Sequence, residues 1–588
     1  MNDAEISATA KLQPIETIAD RLGVSANYLI PYGQYMAKID VTGLAGAPSQ
    51  VAGQDREHRL HDLGHRQGAV VLVTACSPTP AGEGKTTVAI GLADGLNRIG
   101  VNTALALREP SLGPVFGLKG GGTGGGYAQV VPMDKINLHF TGDLHAITSA
   151  HNLLCALVDH HIHQGNALQI DPRTITIKRC LDLNDRALRH TVIGLGGRTQ
   201  GVPREDGFEI TAATETMAIF CLATDRADLK RRLSQMIIGY TYDKSPVTAG
   251  DLGSDGAQGA MAVLLNDALD PNLVQTLHGT PALVHGGPFA NIAHGANSVM
   301  ATNTARALAD VVITEAGFGA DLGAEKFMHI TGPAGGFSPD AIVVVATLRA
   351  LKYNGGMSVA EATEDATRRD TQAHQDALQA GVANLDRHLA HLTHYNRPTV
   401  VAINTFPDDT EEEIAWLIEH CACRGVVAET CQAWGQGAAG AEKLASVMRE
   451  QLDCSATAGG IGGLLSPEVM AGLSVQEKIS IIARDIYGAA EVEYTATALK
   501  QLDALAGTPA EYLPVCMAKT PFSFSDDRTA LGAPSGFQLT IERTQLRAGA
   551  GFVVVYTGKI MTMPGLPKHP AAEAMDVDET TAEIRNIF

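Results

Sequence analysis

The run Thr79-Pro80-Ala81-Gly82-Glu83-Gly84-Lys85-Thr86-Thr87 sets a lysine and two threonines directly behind glycines. Glycines let backbone N–H groups turn inward around phosphate oxygens, and a helix that starts at the lysine adds partial positive charge. Lys85 is placed to reach outer phosphates, and Thr86 to offer its hydroxyl to Mg2+. The flanks fit, with an apolar β-type run, Ala69–Ala75, before the loop and a helical pattern, Val88–Leu96, after it. Position 79 holds threonine where the usual phosphate-loop pattern has glycine. An ordinary glycine-rich turn with a surface lysine is the competing reading.

Arg108-Glu109-Pro110-Ser111-Leu112-Gly113-Pro114 ends the next β-type run, Thr103–Leu107. Strand C-termini of an open parallel sheet face the ligand crevice, which predicts Arg108 beside the phosphate loop. A guanidinium there can clamp a carboxylate or phosphate; a structural Arg–Glu pair is the alternative. Lys119–Tyr127 has six glycines in seven positions, a loop for close backbone approach or a lid. Asp143 and His145 are candidates for a base or a hydrogen-bonding partner. Two glycine-rich polar turns follow, His285–Ser298 with Phe289 and Thr314–Phe327 with acids and a lysine. The first suits a wall for a polar planar ligand. Phe406 and Pro407 precede Trp434, one of two tryptophans. Such a loop tryptophan can stack on a heteroaromatic ring or pack a domain boundary. His160, His161 and His163 crowd beside Asp159, but no second cluster has ligand spacing, so a solvated helix end is expected.

These groups need a scaffold, and 588 residues imply two to four domains. β-type runs at Ala69–Ala75, Thr103–Leu107, Thr191–Leu195, Ala282–His285, Asp310–Thr314, Ala341–Ala346, Thr399–Asn404 and Gly425–Ala428 alternate with helical patterns such as Ala212–Ala223, Leu229–Gly239, Ala260–Leu269 and Ser298–Leu308. The alternation predicts an α/β fold: a P-loop-type, largely parallel sheet domain (1–355), a further α/β domain (356–480) and a small α+β domain (481–588). Pro14–Leu22 and Ser25–Met36 read as helical, Val359–Leu392 as a polar helical segment, and Ala45–Arg66 as a surface insertion. Gly536–Glu542 and Ala550–Thr557 are expected to pair as antiparallel strands. A formal charge of −20 argues against nucleic acid or anionic membrane as partner, and requires a locally basic pocket for any anionic substrate. Nine cysteines without paired C-x-x-C spacing read as reduced, mostly buried thiols of a cytoplasmic protein. The start shows no signal-peptide pattern, and the most apolar run, Ala341–Ala346, is too short to span a bilayer.

Taken together, Pro78–Thr87, Arg108–Gly113, Gly124–His145, Gly286–Ser298, Glu315–Phe327, Asn404–Asp408 and Thr562–Lys568 resemble the formate–tetrahydrofolate ligase family, also called formyltetrahydrofolate synthetase, in its monofunctional form. The resemblance extends from about Pro14 to Phe588. It implies ATP-dependent activation of formate to formyl phosphate, then attack by N10 of tetrahydrofolate to give 10-formyltetrahydrofolate. By the same resemblance Thr79–Thr87 bind nucleotide phosphate, Lys85 and Thr86 hold the transferred phosphate with Mg2+, and Arg108 binds formyl phosphate. Glu109 lies where the family binds a monovalent cation, K+ or NH4+. Phe406, Pro407 and Trp434 match the walls of the pterin pocket, and Asp143 an acid near the reacting folate. A homo-oligomer, a tetramer, is implied as well. The chain departs from the family at Met328–Pro333, where a basic, cysteine-containing stretch is expected, at His278, where an acid is expected, and in the length of Ala45–Arg66. The competing function is a regulatory P-loop ATPase that binds a protein partner. It fits the phosphate loop but gives Phe406 and Trp434 no role.

Overall fold

The computed structural model describes residues 3–45, 67–80, 82–118, 122–363, 370–455, 465–558 and 560–587. Its centre is one twelve-stranded sheet. The strands are β1 (Leu29–Pro31), β2 (Ala37–Ile39), β3 (Ala69–Ala75), β4 (Thr103–Leu107), β5 (Ala128–Val131), β6 (Asn272–Thr276), β7 (Pro281–Val284), β8 (Val311–Glu315), β9 (Ala341–Ala346), β10 (Thr399–Asn404) and β11 (Val427–Cys431), with the short Gly124–Gly125 beside β5. Their spatial order is β1-β2-β6-β7-β4-β8-β3-β9-β10-β11, and β5 pairs with β6. The seven strands from β7 to β11 are parallel to their neighbours, whereas β1, β2, β5 and β6 join antiparallel. The fold is therefore α/β with a mostly parallel central sheet.

The inner strands are apolar throughout because helices cover both of their faces. In β3, Val70 and Leu72 enter one hydrophobic core and Val71 and Val73 the other, as alternation along a strand requires. Helix α1 (Lys85–Arg98) lies on the second face through Val88, Ile90 and Leu92. The first face receives α2 (Asp143–His163), α3 (Glu215–Leu222) and α4 (Thr371–Thr393), the last through Leu378, Val382, Leu385 and Leu389.

Several expectations are corrected. Ser25–Met36 is not a helix: a single 3-10 turn, Ala26–Tyr28, leads into β1, because Pro31 and Gly33 stop helical propagation. Thr191–Ile193 forms an isolated hairpin with Arg204–Asp206 instead of a sheet strand. The helix expected at Leu229–Gly239 is Arg226–Ser234, followed by strand Ile237–Tyr240. The two C-terminal strands do not pair with each other. Gln538–Ile541 runs parallel to Glu491–Tyr494, while Phe552–Tyr556 lies between Val515–Ala518 and Arg543–Arg547. The central sheet also runs on across the expected boundary near residue 355, since β10 and β11 extend it beyond β9. Residues 46–66 of the polar stretch, Ala81 and residues 119–121 of the glycine run lie outside the described residues. None of the nine cysteines is disulfide-bonded, and only Cys423 and Cys454 are exposed.

Gly91, in the middle of α1, lets this helix approach the turn after β11: a Cβ at Gly91 would lie 2.2 Å from the Cβ of Ala433. Gly91→Ala should therefore destabilise the fold by about 1–3 kcal/mol, despite alanine's better helix propensity. Urea unfolding checks this, and an unchanged or raised midpoint would show that the interface yields freely.

Candidate active site

The loop after β3 delivers the phosphate-binding candidates to the C-terminal edge of the sheet. Gly84 is the N-cap of α1 with φ of 73°, and no side chain caps the helix. The first-turn N–H groups of α1 are thus left for an external acceptor, at the positive end of the helix dipole. Glycine is required at 84 on two counts, its left-handed backbone and the amide of Asn404, whose Nδ2 would lie 2.5 Å from a Cβ. From the end of β10, Asn404 Nδ2 donates to the carbonyl of Glu83 at 3.0 Å. Glu83 is buried, and its carboxylate accepts the Thr79 N–H at 2.6 Å. Lys85 Nζ lies 3.9 Å from the other Glu83 oxygen. Burial pushes the Glu83 carboxyl up, against the lowering pull of Lys85 and the Thr79 N–H.

Arg108 leaves β4, and β8 lies between β4 and β3. Glu315, the last residue of β8, joins the two flanking elements. It accepts the Thr86 hydroxyl at 2.7 Å through one oxygen, and Arg108 Nη2 lies 3.4 Å from the other. The turns after β7 and β8 close around Arg108, with the Gly317 N–H donating to the Gly295 carbonyl at 2.9 Å. Within these turns Lys326 Nζ donates to the Ala290 carbonyl at 2.5 Å, and His294 is fully buried. Burial, then Lys326, Arg108 and Arg232, press the His294 pKa down to about 3, so the ring is neutral. Neither His294 ring nitrogen nor Arg108 Nε has a partner among the described residues. Buried donors and acceptors left open in this way suit a polar ligand.

Glu109 is buried behind Arg108, its N–H donating to the Gly286 carbonyl at 2.8 Å and its Oε2 unpartnered among the described residues. Burial, followed by the neighbouring Asp143 carboxylate, raises the Glu109 pKa well above the usual range, while Lys38 opposes. Asp143 itself is wholly buried at the start of α2. It pairs with Lys38 at 2.8 Å, accepts Asn272 Nδ2 at 2.7 Å, and stands 3.9 Å from His285. A carboxylate so engaged is not an open base; its geometry instead places negative charge next to Glu109. Of the two roles read from the sequence for Asp143, base or hydrogen-bonding partner, its contacts with Lys38 of β2 and Asn272 favour the second.

Phe406, Pro407 and Trp434 all follow the C-terminal ends of adjacent strands, β10 and β11. One face of Phe406 carries the Arg349 guanidinium, 3.8 Å from the ring centroid, and Arg349 also pairs with Asp408. Pro407 is exposed. Trp434 is 45% exposed, and its carbonyl accepts the Tyr127 N–H at 2.8 Å, which pins it to the glycine-rich turn. His278, a departure from the resembled family, touches the same region: its Nε2 accepts the Ala438 N–H at 3.2 Å. Phe289 lies apart from these aromatics, half-buried against the core on the β7 turn. The departure at Met328–Pro333 is buried up to Gly332 and exposed at Pro333, with His329 bonded to Glu325 at 2.8 Å. His160, His161 and His163 occupy the last turn of α2, where His161 Nε2 accepts the Leu168 N–H.

The residue roles read from the sequence omitted Glu315, Asn404, His294 and Lys326. Glu315 and Asn404 stand at strand C-termini, and that position was the signal available for them. The arrangement as a whole offers N–H donors, a lysine and an arginine to a phosphate. Beside them stand oxygen ligands of the kind hard cations prefer, and an aromatic pair lies on the neighbouring strand ends. No helix among the described residues is long and apolar enough to cross a membrane.

The family profile for formate–tetrahydrofolate ligase matches residues 1–588. A formate–tetrahydrofolate ligase of Arthrobacter sp. (strain FB24) is 54% identical over 585 residues, covering 99% of this chain and 98% of that protein. Those of Renibacterium salmoninarum and Paenarthrobacter aurescens are 53% and 52% identical, each over 98% of this chain and 97% of their own length. Matches that span whole chains at this identity leave no part of the sheet, the loops or the C-terminal strands unaccounted for, and the chain belongs to the formate–tetrahydrofolate ligase family.

Proposed function

We propose that this protein ligates formate to tetrahydrofolate using ATP, through formyl phosphate, and yields 10-formyltetrahydrofolate, ADP and phosphate. One observation carries the reading: Thr86, in the uncapped first turn that also bears Lys85, and Arg108 converge on one carboxylate, Glu315, beside buried polar atoms that lack partners among the described residues. Formate is a poor electrophile, and phosphorylation gives its carbon a leaving group. A formate oxygen attacks the γ-phosphorus and ADP departs. N10 of tetrahydrofolate then attacks the formyl carbon, phosphate leaves, and the N10 proton can pass to that phosphate, so Asp143 need not be a free base. Thr79–Thr87 cradle the nucleotide phosphates, Lys85 stabilises charge on the migrating phosphoryl group, and Arg108 grips the formyl phosphate oxygens. His294 lines the basic pocket as a neutral hydrogen-bonding group.

Thr86 Oγ1 and the Glu315 carboxylate fit Mg2+, which when bound supplies neutralisation of phosphate charge. Glu109, buried with an open oxygen beside Asp143, fits a monovalent cation, K+ or NH4+, which would offset two adjacent carboxylates. Phe406, Pro407 and Trp434 form the walls for the pterin ring, and Phe289, on the separate turn after β7, is an apolar wall at its own end of the crevice. A cytoplasmic homo-oligomer, a tetramer, completes the reading.

Purified protein should form ADP only when formate and tetrahydrofolate are both present, and Lys85→Ala should remove roughly 3–4 kcal/mol of transition-state stabilisation, a hundredfold or more in rate. ADP formation at wild-type rate by folded Lys85→Ala would sink the assignment. Trp434→Ala should weaken tetrahydrofolate binding by about 0.5–1.5 kcal/mol beyond lost burial, with ATP binding unchanged. Equilibrium titration checks it, and unaltered folate affinity with lower thermal stability would make Trp434 a packing residue. At constant ionic strength, K+ or NH4+ should tighten apparent formate binding relative to Li+ or tetramethylammonium, and Glu109→Gln should blunt the difference. Indistinguishable kinetics in all four salts would remove the cation site.

A further inference from the structure

We propose that Asn384, in the middle of α4, is a positioning residue for the phosphate loop, and that it couples the loop to the C-terminal segment 519–532. This rests on the reading above that the loop carries out phosphoryl transfer. Asn384 is completely buried. Its Oδ1 accepts the Ser77 N–H at 3.0 Å, and its Nδ2 donates to Ser77 Oγ at 3.0 Å and to the Gly532 carbonyl at 2.7 Å. Ser77 lies two residues ahead of Thr79, so this amide holds the entrance of the loop through both its backbone and its hydroxyl. Only a side chain with both a donor and an acceptor can make this set of bonds.

The same C-terminal segment reaches the opposite wall of the crevice. Ser77 Oγ is 3.1 Å from His388 Nε2, and the His388 ring packs on Phe524 with centroids 4.5 Å apart. Lys519 pairs with Asp321 at 2.8 Å, both side chains without exposure, and Asp321 sits on the turn after Glu315. Gly532 N–H also donates to Asn354 Oδ1 at 3.2 Å. One segment therefore braces the turn that enters the phosphate loop and the turn that leaves the Thr86 partner. Buried polar networks of this kind specify position, because each group has a single low-cost arrangement. Displacement of reacting groups by about 1 Å can cost on the order of a hundredfold in rate.

The test is steady-state kinetics and folate titration on the full-length protein carrying Asn384→Ala, Ser77→Ala, or both. Asn384→Ala should lower kcat/KM for ATP by about tenfold or more, and Ser77→Ala by about threefold, while tetrahydrofolate affinity stays within about twofold. The double variant should lose less than the product of the two single losses, since Ser77 and Asn384 share a contact. ATP parameters within about twofold of wild type in folded Asn384→Ala, or equal losses in ATP and folate binding, would overturn the proposal. If Asn384→Ala does not fold, Ser77→Ala, which removes only a hydroxyl, decides on the same criteria. Lys85→Ala run in parallel separates the two claims: its inactivity with a wild-type-like Asn384→Ala refutes positioning alone, and its activity refutes the phosphate-loop reading.

Discussion

Glu315 is the carboxylate on which the site is built. Strand β8 lies between β3, which launches the phosphate loop, and β4, which ends in Arg108. Its register aligns Glu315 with Val73 on one side and Thr314 with Ala106 on the other. The last side chain of β8 can therefore reach Thr86 and Arg108 at once, at 2.7 and 3.4 Å. Without that strand order, the hydroxyl and the guanidinium would have no common partner. Parallel packing brings the loops after β3, β4, β7, β8 and β10 to one edge, and the chemistry collects there because the fold leaves helix dipoles and strand ends pointing the same way.

A chain of net charge −20 that binds anions must concentrate its cations. Lys85 and Arg108 stand on the loops beside Glu315, Lys326 is buried in the turn after it, and burial keeps His294 neutral near Lys326 and Arg108. Carboxyl groups stand in a second layer: Asp143 pairs with Lys38, while Glu109 next to it keeps an oxygen without a partner among the described residues.

Strands Ala69–Ala75, Thr103–Leu107, Ala341–Ala346 and Thr399–Asn404 were legible residue for residue, because both faces of each are buried and the whole run is apolar. Asn272–Thr276 was missed: it carries Asn and Gln that bond to Asp143 and to the chain near Gln13, so its pattern resembles a loop. The phosphate loop and Arg108 were readable from local spacing. The role of Glu315 was not, since it depends on which strand lies next to which. Asp143 could be read either as a base or as a hydrogen-bonding partner, because Lys38, with which it pairs, is remote in the chain. Asn384 reads as a polar residue on an amphipathic helix, and only the C-terminal segment folding over it makes it interior.

The central claim is that this crevice activates formate by phosphorylation before the folate amine attacks. The most direct measurement uses formate labelled with 18O in both oxygens, together with ATP and tetrahydrofolate, and mass analysis of the released phosphate. Attack of a formate oxygen on the γ-phosphorus leaves that oxygen with phosphorus when the formyl carbon is transferred. The expected result is one 18O in each phosphate formed with 10-formyltetrahydrofolate. Unlabelled phosphate accompanying formylated folate would contradict the formyl phosphate route.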